Sequence, residues 1–422
     1  MPAVFTGAHK RLNIIGAVVL VVGVARVFAQ PWLFHVGPIK YWGPPVDFQV
    51  YRYGGGFLVD GTHLYDGNVP TINDGQILPF TYPPFSALVF APLSWLPVRV
   101  GAVVMAIAGC LVVWWLIRLL LRRVGCGDLP VGWSMILTAV ALQMEPVRIT
   151  LDLGQVNLLL VALMVADTIW DRRPAWLEPY RGLMVGFAAA IKLTPAVIVI
   201  YYLARRQWRA AFNVGLGFLL FSGIAWAITP SDSHKYWTST LFDADRIGGL
   251  AFAYNQGIAG VLARMGLSES DRSHWWLLFT IVAAIYCLVL ARVLANRGEV
   301  ELCLLVASAV ALLGAPAAWI HHWVLTSVFI LVFLVVGIRA RDRVFIGLGV
   351  LGLVAQLPGP SLFLPKTGLK ELDWNWWQVI YGDLSLIWLL VVLAGAWWLS
   401  LTRVQGKWRR TPFPAPDGEL YR

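Results

Sequence analysis

Charged side chains are scarce in this 422-residue sequence. Asp, Glu, Lys and Arg make up 13% of the chain and hydrophobic residues 59%, with a mean hydropathy of +0.69. A soluble domain has about 25% charged residues, so this chain has too little polar surface to cover a body exposed to water. The composition excludes soluble enzymes and nucleic-acid-binding proteins and predicts a membrane protein with many spans. The net charge of +10 then indicates basic cytoplasmic loops, and no nucleic acid is expected as a partner.

The sequence also lacks the motifs of metal and nucleotide sites. Its four cysteines show no paired spacing, and the chain contains neither HExxH nor GxxxxGK[ST]. We therefore predict neither a metal nor a cofactor.

Long apolar runs are abundant instead. A helix needs about 20 mostly apolar residues to cross the hydrocarbon core. The runs are 12–34, 83–96, 98–121, 131–150, 153–170, 182–203, 210–229, 274–295, 302–318, 321–338, 344–364 and 379–401. Several are short or interrupted, which gives about 10–13 transmembrane or re-entrant helices. The predicted fold class is an all-α polytopic membrane protein, with one domain over 1–402 and a cytoplasmic tail over 403–422.

Basic residues orient these runs. Seven clusters of Lys and Arg separate them and hold about two-thirds of the 33 basic residues. Because cytoplasmic loops are enriched in Lys and Arg, the pattern predicts a multi-pass plasma-membrane protein with both termini inside. The loops 35–82 and 230–273 are then extracytoplasmic. They are long and rich in aromatic and polar residues, which places the working face outside. The run 12–34 lacks a small-residue cleavage site and is expected to be a retained helix.

Asp47 is the first candidate catalytic residue. It follows two prolines shortly after the first run ends, among apolar and aromatic residues. Partial desolvation raises the pKa of a carboxyl group toward neutrality, which suits a general base. Asp is equally suited to be the N-cap of a helix beginning at Phe48. Both roles stay open on the sequence alone.

Polar residues around 145–157 form a second group of candidates. Arg148, near an outer helix junction, could hold a phosphate, and Gln155 and Asn157 could bind hydroxyl groups. An ion pair between Glu145 and Arg148 that locks the turn is an equal alternative.

Lys192 and Tyr82 are candidates in or beside other apolar runs. Lys192 lies in the middle of the run 182–203, so a buried anionic partner is favoured over snorkelling to the interface. Tyr82 precedes two prolines that fix the entry into a helix, which favours a structural role for the segment 79–85. By pinning the Asp47 loop, that segment also places Tyr82 among the predicted substrate contacts.

The last candidates are His321, His322 and Trp319, together with Asn255 and Gln256. Adjacent histidines point to different faces of a helix, so they do not easily share a metal. They could instead bind a phosphate or sugar hydroxyls, with the Trp ring as a stacking surface. A helix turn in the interfacial belt, where Trp and His are common, is the alternative. Asn255 and Gln256 end a polar outer segment before a short apolar stretch, 257–265, that is too short to span.

These residue types together suit a lipid-linked sugar phosphate. Cations select a phosphate, amides and aromatic rings select sugar rings, and grooves in a membrane protein accept a lipid tail. The expected chemistry is glycosyl transfer outside the cytoplasm. A flippase or transporter of lipid-linked sugars is the alternative, although such proteins place key residues at the membrane midplane within inverted repeats, and no repeat is visible here.

Six motifs in fixed order carry a family resemblance. They are Asp47-Phe48-Gln49-Val50-Tyr51, Phe80-Thr81-Tyr82-Pro83-Pro84, Gly154-Gln155-Val156-Asn157, Lys192-Leu193-Thr194-Pro195, Asn255-Gln256 and Trp319-Ile320-His321-His322-Trp323. The chain resembles, over about residues 12–400, the polyprenol-phosphate-mannose-dependent α-(1→2)-mannosyltransferases of glycosyltransferase family 87. The resemblance implies a GT-C fold, a polyprenyl-phosphate-mannose donor, a mannosylated glycolipid acceptor and inversion of configuration.

The resemblance also implies residue roles. Asp47 matches the family's first-loop Asp and would deprotonate the acceptor hydroxyl, while His322, with His321, Lys192 and Arg148, would neutralise the leaving phosphate. Two acceptors stay open. The stretches 59–65, 245–248 and 258–264 are more similar to the enzyme that adds α-(1→2) branches to lipomannan and lipoarabinomannan than to the enzyme that extends phosphatidylinositol mannosides. This chain departs from the family at Gly257 and at 315–318, where the family often has Ser after Asn-Gln and Ser-Pro before Trp.

Overall fold

A computed structural model of the chain describes residues 2–29, 45–66, 68–70, 77–243, 246, 248–366 and 368–402. The tail predicted over 403–422, Asp245 and parts of the loop predicted over 35–82 lie outside these residues. The described residues form α-helices, short 3-10 turns and one small hairpin. In the hairpin, β1 (Asn68–Pro70) pairs antiparallel with β2 (Ile77–Pro79), and Val69 lies opposite Leu78.

Each apolar run contains helix, although the runs 131–150, 182–203 and 344–364 are divided between two or more elements. In chain order the helices are α1 (Pro2–Ala29), α2 (Val46–Val59), α3 (Pro84–Phe90), α4 (Val98–Arg123), α5 (Val131–Ala141), α6 (Glu145–Leu153), α7 (Asn157–Thr168), α8 (Leu183–Ile191), α9 (Val199–Ala204), α10 (Trp208–Ile228), α11 (Pro230–Thr238), α12 (Ile258–Arg264), α13 (Glu269–Asn296), α14 (Val300–Gly314), α15 (Val324–Ala340), α16 (Arg343–Gln356), α17 (Pro360–Phe363), α18 (Trp376–Gly382) and α19 (Leu384–Thr402).

Five of the described helices are long and apolar enough to cross a membrane. They are α1, α4, α10, α13 and α19, and α6 with α7 forms a sixth candidate span that bends by 118°. Shorter apolar helices, among them α5, α14, α15 and α16, accompany them. The predicted all-α membrane protein is thus confirmed, while the number of these segments that cross the membrane stays a prediction.

The long helices expose apolar side chains outward, and the core lies around α14 and α15. Val22 of α1, Leu219 of α10 and Ile285 of α13 are all more than half exposed. Apolar side chains on the outside are favourable where lipid is the solvent. Inside, α15 is buried along almost its whole length, and the rings of Phe333 and Trp388 lie 6.4 Å apart in the core.

The run 182–203 is not one helix. The helix α8 ends at Ile191, Lys192 has extended backbone angles, and a 3-10 turn over Thr194–Ile198 leads into α9. Pro195 explains the break, because in a continuous helix it could not donate a hydrogen bond to the carbonyl of Ile191, and its ring would clash with that carbonyl. The sequence suggested that Lys192 lies within a continuous span. In the structure it lies at a break between two short helices.

Candidate active site

Asp47 lies in the first turn of α2 and does not cap it. The helix begins at Val46, two residues earlier than predicted, and its N-cap position is Pro45, which makes no side-chain cap bond. The Asp47 carboxylate instead accepts a hydrogen bond from Gln155 Nε2 at 2.5 Å. The N-cap alternative is therefore wrong, and the carboxylate faces the break between α6 and α7.

Gly154 brings Gln155 to this carboxylate. It ends α6 with a φ of +65°, a left-handed conformation that favours glycine because it has no Cβ. A Cβ at this position would lie 2.8 Å from Phe48 Cβ and 3.0 Å from Pro45 Cβ. Only glycine therefore combines the turn with this close approach to the start of α2.

Two tyrosines fix the orientation of the Gln155 amide. Tyr51, one helical turn after Asp47, donates its hydroxyl proton to Gln155 Oε1 at 2.7 Å. The 3.0 Å bond between the hydroxyls of Tyr51 and Tyr82 then has Tyr82 as its donor. With its oxygen held by Tyr51, Gln155 turns its NH₂ group toward Asp47.

Lys192 reaches into the same site from the break after α8. Its Nζ donates to Asn157 Oδ1 at 2.9 Å and lies 5.5 Å from the centre of the Tyr82 ring. The sequence favoured a buried anionic partner for Lys192. The Asp47 carboxylate is such a group, and the ammonium acts on it through space. Lys192 does not snorkel away from the site.

The His pair is anchored to the two halves of the bent span. Asn157 Nδ2 and Thr150 Oγ1 both donate to the backbone carbonyl of His321, at 2.8 and 3.1 Å. The rings of His321 and His322 are perpendicular, with centroids 4.8 Å apart. Their Nδ1 and Nε2 atoms, respectively, are buried without a hydrogen-bond partner among the described residues. Since buried polar atoms are nearly always hydrogen-bonded, these nitrogens suit contact with a bound polar group.

Burial governs the acidity of Asp47, which lies outside the spanning helices. Desolvation raises the pKa of its carboxyl group to about 6, although the Gln155 hydrogen bond and the Lys192 charge both lower it. A carboxyl group with this pKa is ionised at neutral pH and still accepts a proton readily, as a general base requires.

Other predicted site residues lie apart from this group. Asn255 holds the backbone together: it donates to the carbonyls of Leu250 and Pro316 and accepts from the amide of Ala318. Gln256 donates to the carbonyls of Ala253 and Gly382. These bonds give both amides a structural role, and their contact with a substrate stays a prediction.

Trp319 and Arg148 are the last two predicted site residues. Trp319 pairs with Asn255 in an isolated β-bridge, and its half-buried ring lies 6.2 Å from that of Phe252. Arg148 makes no ion pair within 4.0 Å with Glu145, whose carboxylate accepts from Ser361 instead, so the proposed turn-locking pair is wrong. Arg148 belongs to a different polar cluster from Lys192 and the His pair.

Sequence reasoning did not single out Tyr51 or the pair formed by Arg264 and Asp383. The i, i+4 spacing of Asp47 and Tyr51 on one helix was a usable signal. Nothing local marks the other pair. Arg264, 5% exposed, donates to Asp383 and to the carbonyls of Ala251, Phe252 and Asn255, and so holds the segment before α12.

A buried carboxylate beside a lysine ammonium at broken helices of a membrane protein fits one class of protein, the membrane-embedded glycosyltransferases. The family model of glycosyltransferase family 87 matches residues 80–316. The chain belongs to this family, and the GT-C type of fold and the glycosyltransferase class expected from the sequence are confirmed.

Characterised relatives cover most of the chain. It is 31% identical over 396 residues to the polyprenol-phosphate-mannose-dependent α-(1-2)-phosphatidylinositol mannoside mannosyltransferase of Mycobacterium tuberculosis, covering 89% of both sequences. The Mycolicibacterium smegmatis protein of the same name is 34% identical, with 82% of both covered. A polyprenol-phosphate-mannose-dependent α-(1-2)-phosphatidylinositol pentamannoside mannosyltransferase of Mycolicibacterium smegmatis is 31% identical, with 94% of this chain and 93% of the relative covered. No solved structure matches the chain.

Proposed function

We propose that this enzyme transfers mannose from polyprenyl-phosphate-mannose to the 2-hydroxyl of a mannoside acceptor on the extracytoplasmic face of the plasma membrane. The observation that carries the proposal is the pairing of a carboxylate and a cation in one site. The Asp47 carboxylate, held by Gln155, shares its surroundings with Lys192 and with two unpartnered histidine nitrogens. The names of the relatives support the choice of donor and of the α-(1→2) linkage.

The proposed reaction is a single displacement at C1 of mannose. Asp47 takes the proton of the acceptor hydroxyl as its oxygen bonds to C1, and the bond between C1 and the phosphate oxygen breaks with inversion. Polyprenyl phosphate leaves with the electron pair of that bond. A phosphate is already a good leaving group, so the step needs a base and a counter-charge but no general acid.

The counter-charge for the leaving phosphate comes from Lys192, supported by the His pair. The ammonium is fixed by Asn157, which also holds the carbonyl of His321, so these groups keep one geometry. A preorganised cation stabilises developing negative charge without reorganising in the reaction. The orphaned His nitrogens supply further contacts to phosphate or sugar oxygens.

For the acceptor, we propose the mannan chain of lipomannan and lipoarabinomannan, on which the enzyme adds single α-(1→2) branches. The stretches 59–65 and 258–264 support this choice. The names of the relatives favour a second candidate, a phosphatidylinositol mannoside. Linkage analysis of envelope glycolipids after gene deletion separates them: loss of α-(1→2) branches on the mannan supports the first, and truncated phosphatidylinositol mannosides support the second.

The test of the mechanism is Asp47→Asn. Mannose transfer from polyprenyl-phosphate-mannose should fall by about 10²–10⁴-fold, because the isosteric amide cannot take a proton. Binding of the donor should persist. Asp60→Asn, an exposed carboxylate at the end of the same helix, is the matched control and should keep wild-type turnover. More than a few per cent of residual activity in Asp47→Asn would exclude this residue as the base.

A further inference from the structure

One face of α6 carries a second polar cluster outside the reacting centre. Its members come from three parts of the chain and are Glu145, Arg148, Asp152, Tyr254, Ser361 and Lys366. The three α6 residues are spaced by three and four positions, so they share one face of the helix. Thr150, which bonds to the carbonyl of His321, points nearly the opposite way. The helix therefore separates this cluster from the His pair.

Contacts across the cluster hold its framework. Ser361 Oγ donates to Glu145, whose side chain is buried with the residue 2% exposed. Lys366 Nζ donates to the carbonyl of Ser361 at 2.9 Å and to Tyr254 Oη at 3.3 Å. The Arg148 charge acts on Glu145 and on Asp152 through space. Hydrogen bonds therefore connect Ser361 to Glu145 and Lys366 to Ser361 and Tyr254.

Two atoms in this framework have no partner. Arg148 Nη2, a donor, and Asp152 Oδ2, an acceptor, are both buried without a hydrogen bond to any described residue. A buried charged group without all its hydrogen bonds is costly, and this pair offers one donor and one acceptor about one turn apart on α6. A hydroxyl-bearing ligand satisfies both at once, because each hydroxyl both donates and accepts.

The charge balance selects a neutral ligand. The Arg148 charge acts on the carboxyl groups of Glu145 and Asp152, and Lys366 interacts with Glu145 and with a third carboxyl group, Glu371. A phosphate entering here would meet these carboxylates, and like charges at close range repel. A sugar carries no charge and meets no such barrier.

The cluster adjoins the reacting centre through α6. Asp152 lies three residues before Gln155, which holds Asp47, and Gly154 between them packs on Phe48 and Pro45. We infer that this cluster is a subsite for the second sugar of the acceptor, the residue next to the mannose that reacts, and that Arg148 serves the acceptor and not the donor phosphate. The inference rests on the proposed function, since it needs a mannoside acceptor.

The experiment compares two synthetic acceptors, an octyl mannoside and an octyl dimannoside, with polyprenyl-phosphate-mannose as donor. In the wild type the dimannoside should have the lower KM. Asp152→Asn and Arg148→Gln should each raise the KM for the dimannoside at least tenfold, with the KM for the monomannoside and for the donor unchanged. Asp152→Asn is isosteric and keeps the packing, so it tests the subsite even where Arg148→Gln does not fold.

The matched controls are Asp128→Asn and Arg339→Gln, which remove the same groups from an exposed ion pair of 2.7 Å at the far end of α15. They should keep both KM values. A tenfold rise in the donor KM of Arg148→Gln would return Arg148 to the donor phosphate and overturn the inference. The inference would also be overturned if inorganic phosphate competed with the dimannoside in the wild type but not in Arg148→Gln. An unchanged KM for the dimannoside in Asp152→Asn would overturn it as well. A wild type that transfers no mannose to either acceptor would instead refute the proposed function.

Discussion

Asp47 is poised to change its protonation state just below neutral pH. Burial raises the pKa of its carboxyl group to about 6, and a base acts only when it is deprotonated. We therefore expect kcat/KM for the acceptor to fall tenfold per pH unit below about 6 and to level off near neutral pH. A profile of kcat/KM against pH measures this inflection directly.

Gln155 supplies a second test that Asp47 is the base. Its hydrogen bond lowers the pKa of Asp47, so Gln155→Leu should move the inflection to higher pH, in addition to lowering the plateau. The control Asp60→Asn should keep the wild-type inflection. An inflection that stays in place in Gln155→Leu would mean that another group titrates, and Asp47 would lose its assignment.

At the scale of elements, the bend between α6 and α7 joins the parts of the site. Gly154→Ala places a methyl group 2.8 Å from Phe48 Cβ at a φ of +65°. The left-handed angle costs about 1–2 kcal/mol, and the overlap adds about 1–3 kcal/mol. Because the strain is relieved by moving α2 away, Asp47 loses Gln155, and transfer should fall at least tenfold.

Gly61→Ala is the matched control for this variant. Gly61 has a φ of +68°, but a Cβ there meets nothing within 4 Å. The Gly61→Ala variant should lower the free energy of unfolding only by the cost of the left-handed backbone angle, and it should keep its activity. Thermal unfolding in detergent together with mannose transfer measures both variants, and equal effects at the two glycines would refute the role of the bend.

Elements also show what the sequence could predict. Asp47, Gln155, Asn157, Lys192 and the His pair stand at ends or breaks of apolar runs, and polar residues in such places mark sites in membrane proteins. Their convergence was foreseeable for that reason. The break at Lys192 was missed because the run 182–203 is apolar on both sides of Lys192 and only Pro195 marks the break. The partnership of Lys366 with Tyr254 depends on packing between segments more than 100 residues apart, which no local pattern encodes.

At the scale of the whole molecule, the site and the basic clusters lie at opposite ends of the same helices. The start of α4 packs on Phe48 beside Asp47, and its end pairs Arg123 with Glu301 at 2.8 Å. The helix α15 begins next to the His pair and ends where Arg339 pairs with Asp128. Since basic clusters stay on the cytoplasmic side, this arrangement supports a site that faces outward.

Cysteine labelling tests that orientation. The variants Asp60→Cys, near the site, and Asp128→Cys, near a basic cluster, are made after the four native cysteines are replaced by Ala. A membrane-impermeant maleimide should label the first variant in intact cells and the second only in inverted vesicles. Both positions are on turns, so labelling reports the side of the membrane and not burial in a helix. The reverse pattern would place Asp47 in the cytoplasm, where nucleotide sugars are present, and would remove the physical reason for a lipid-linked donor.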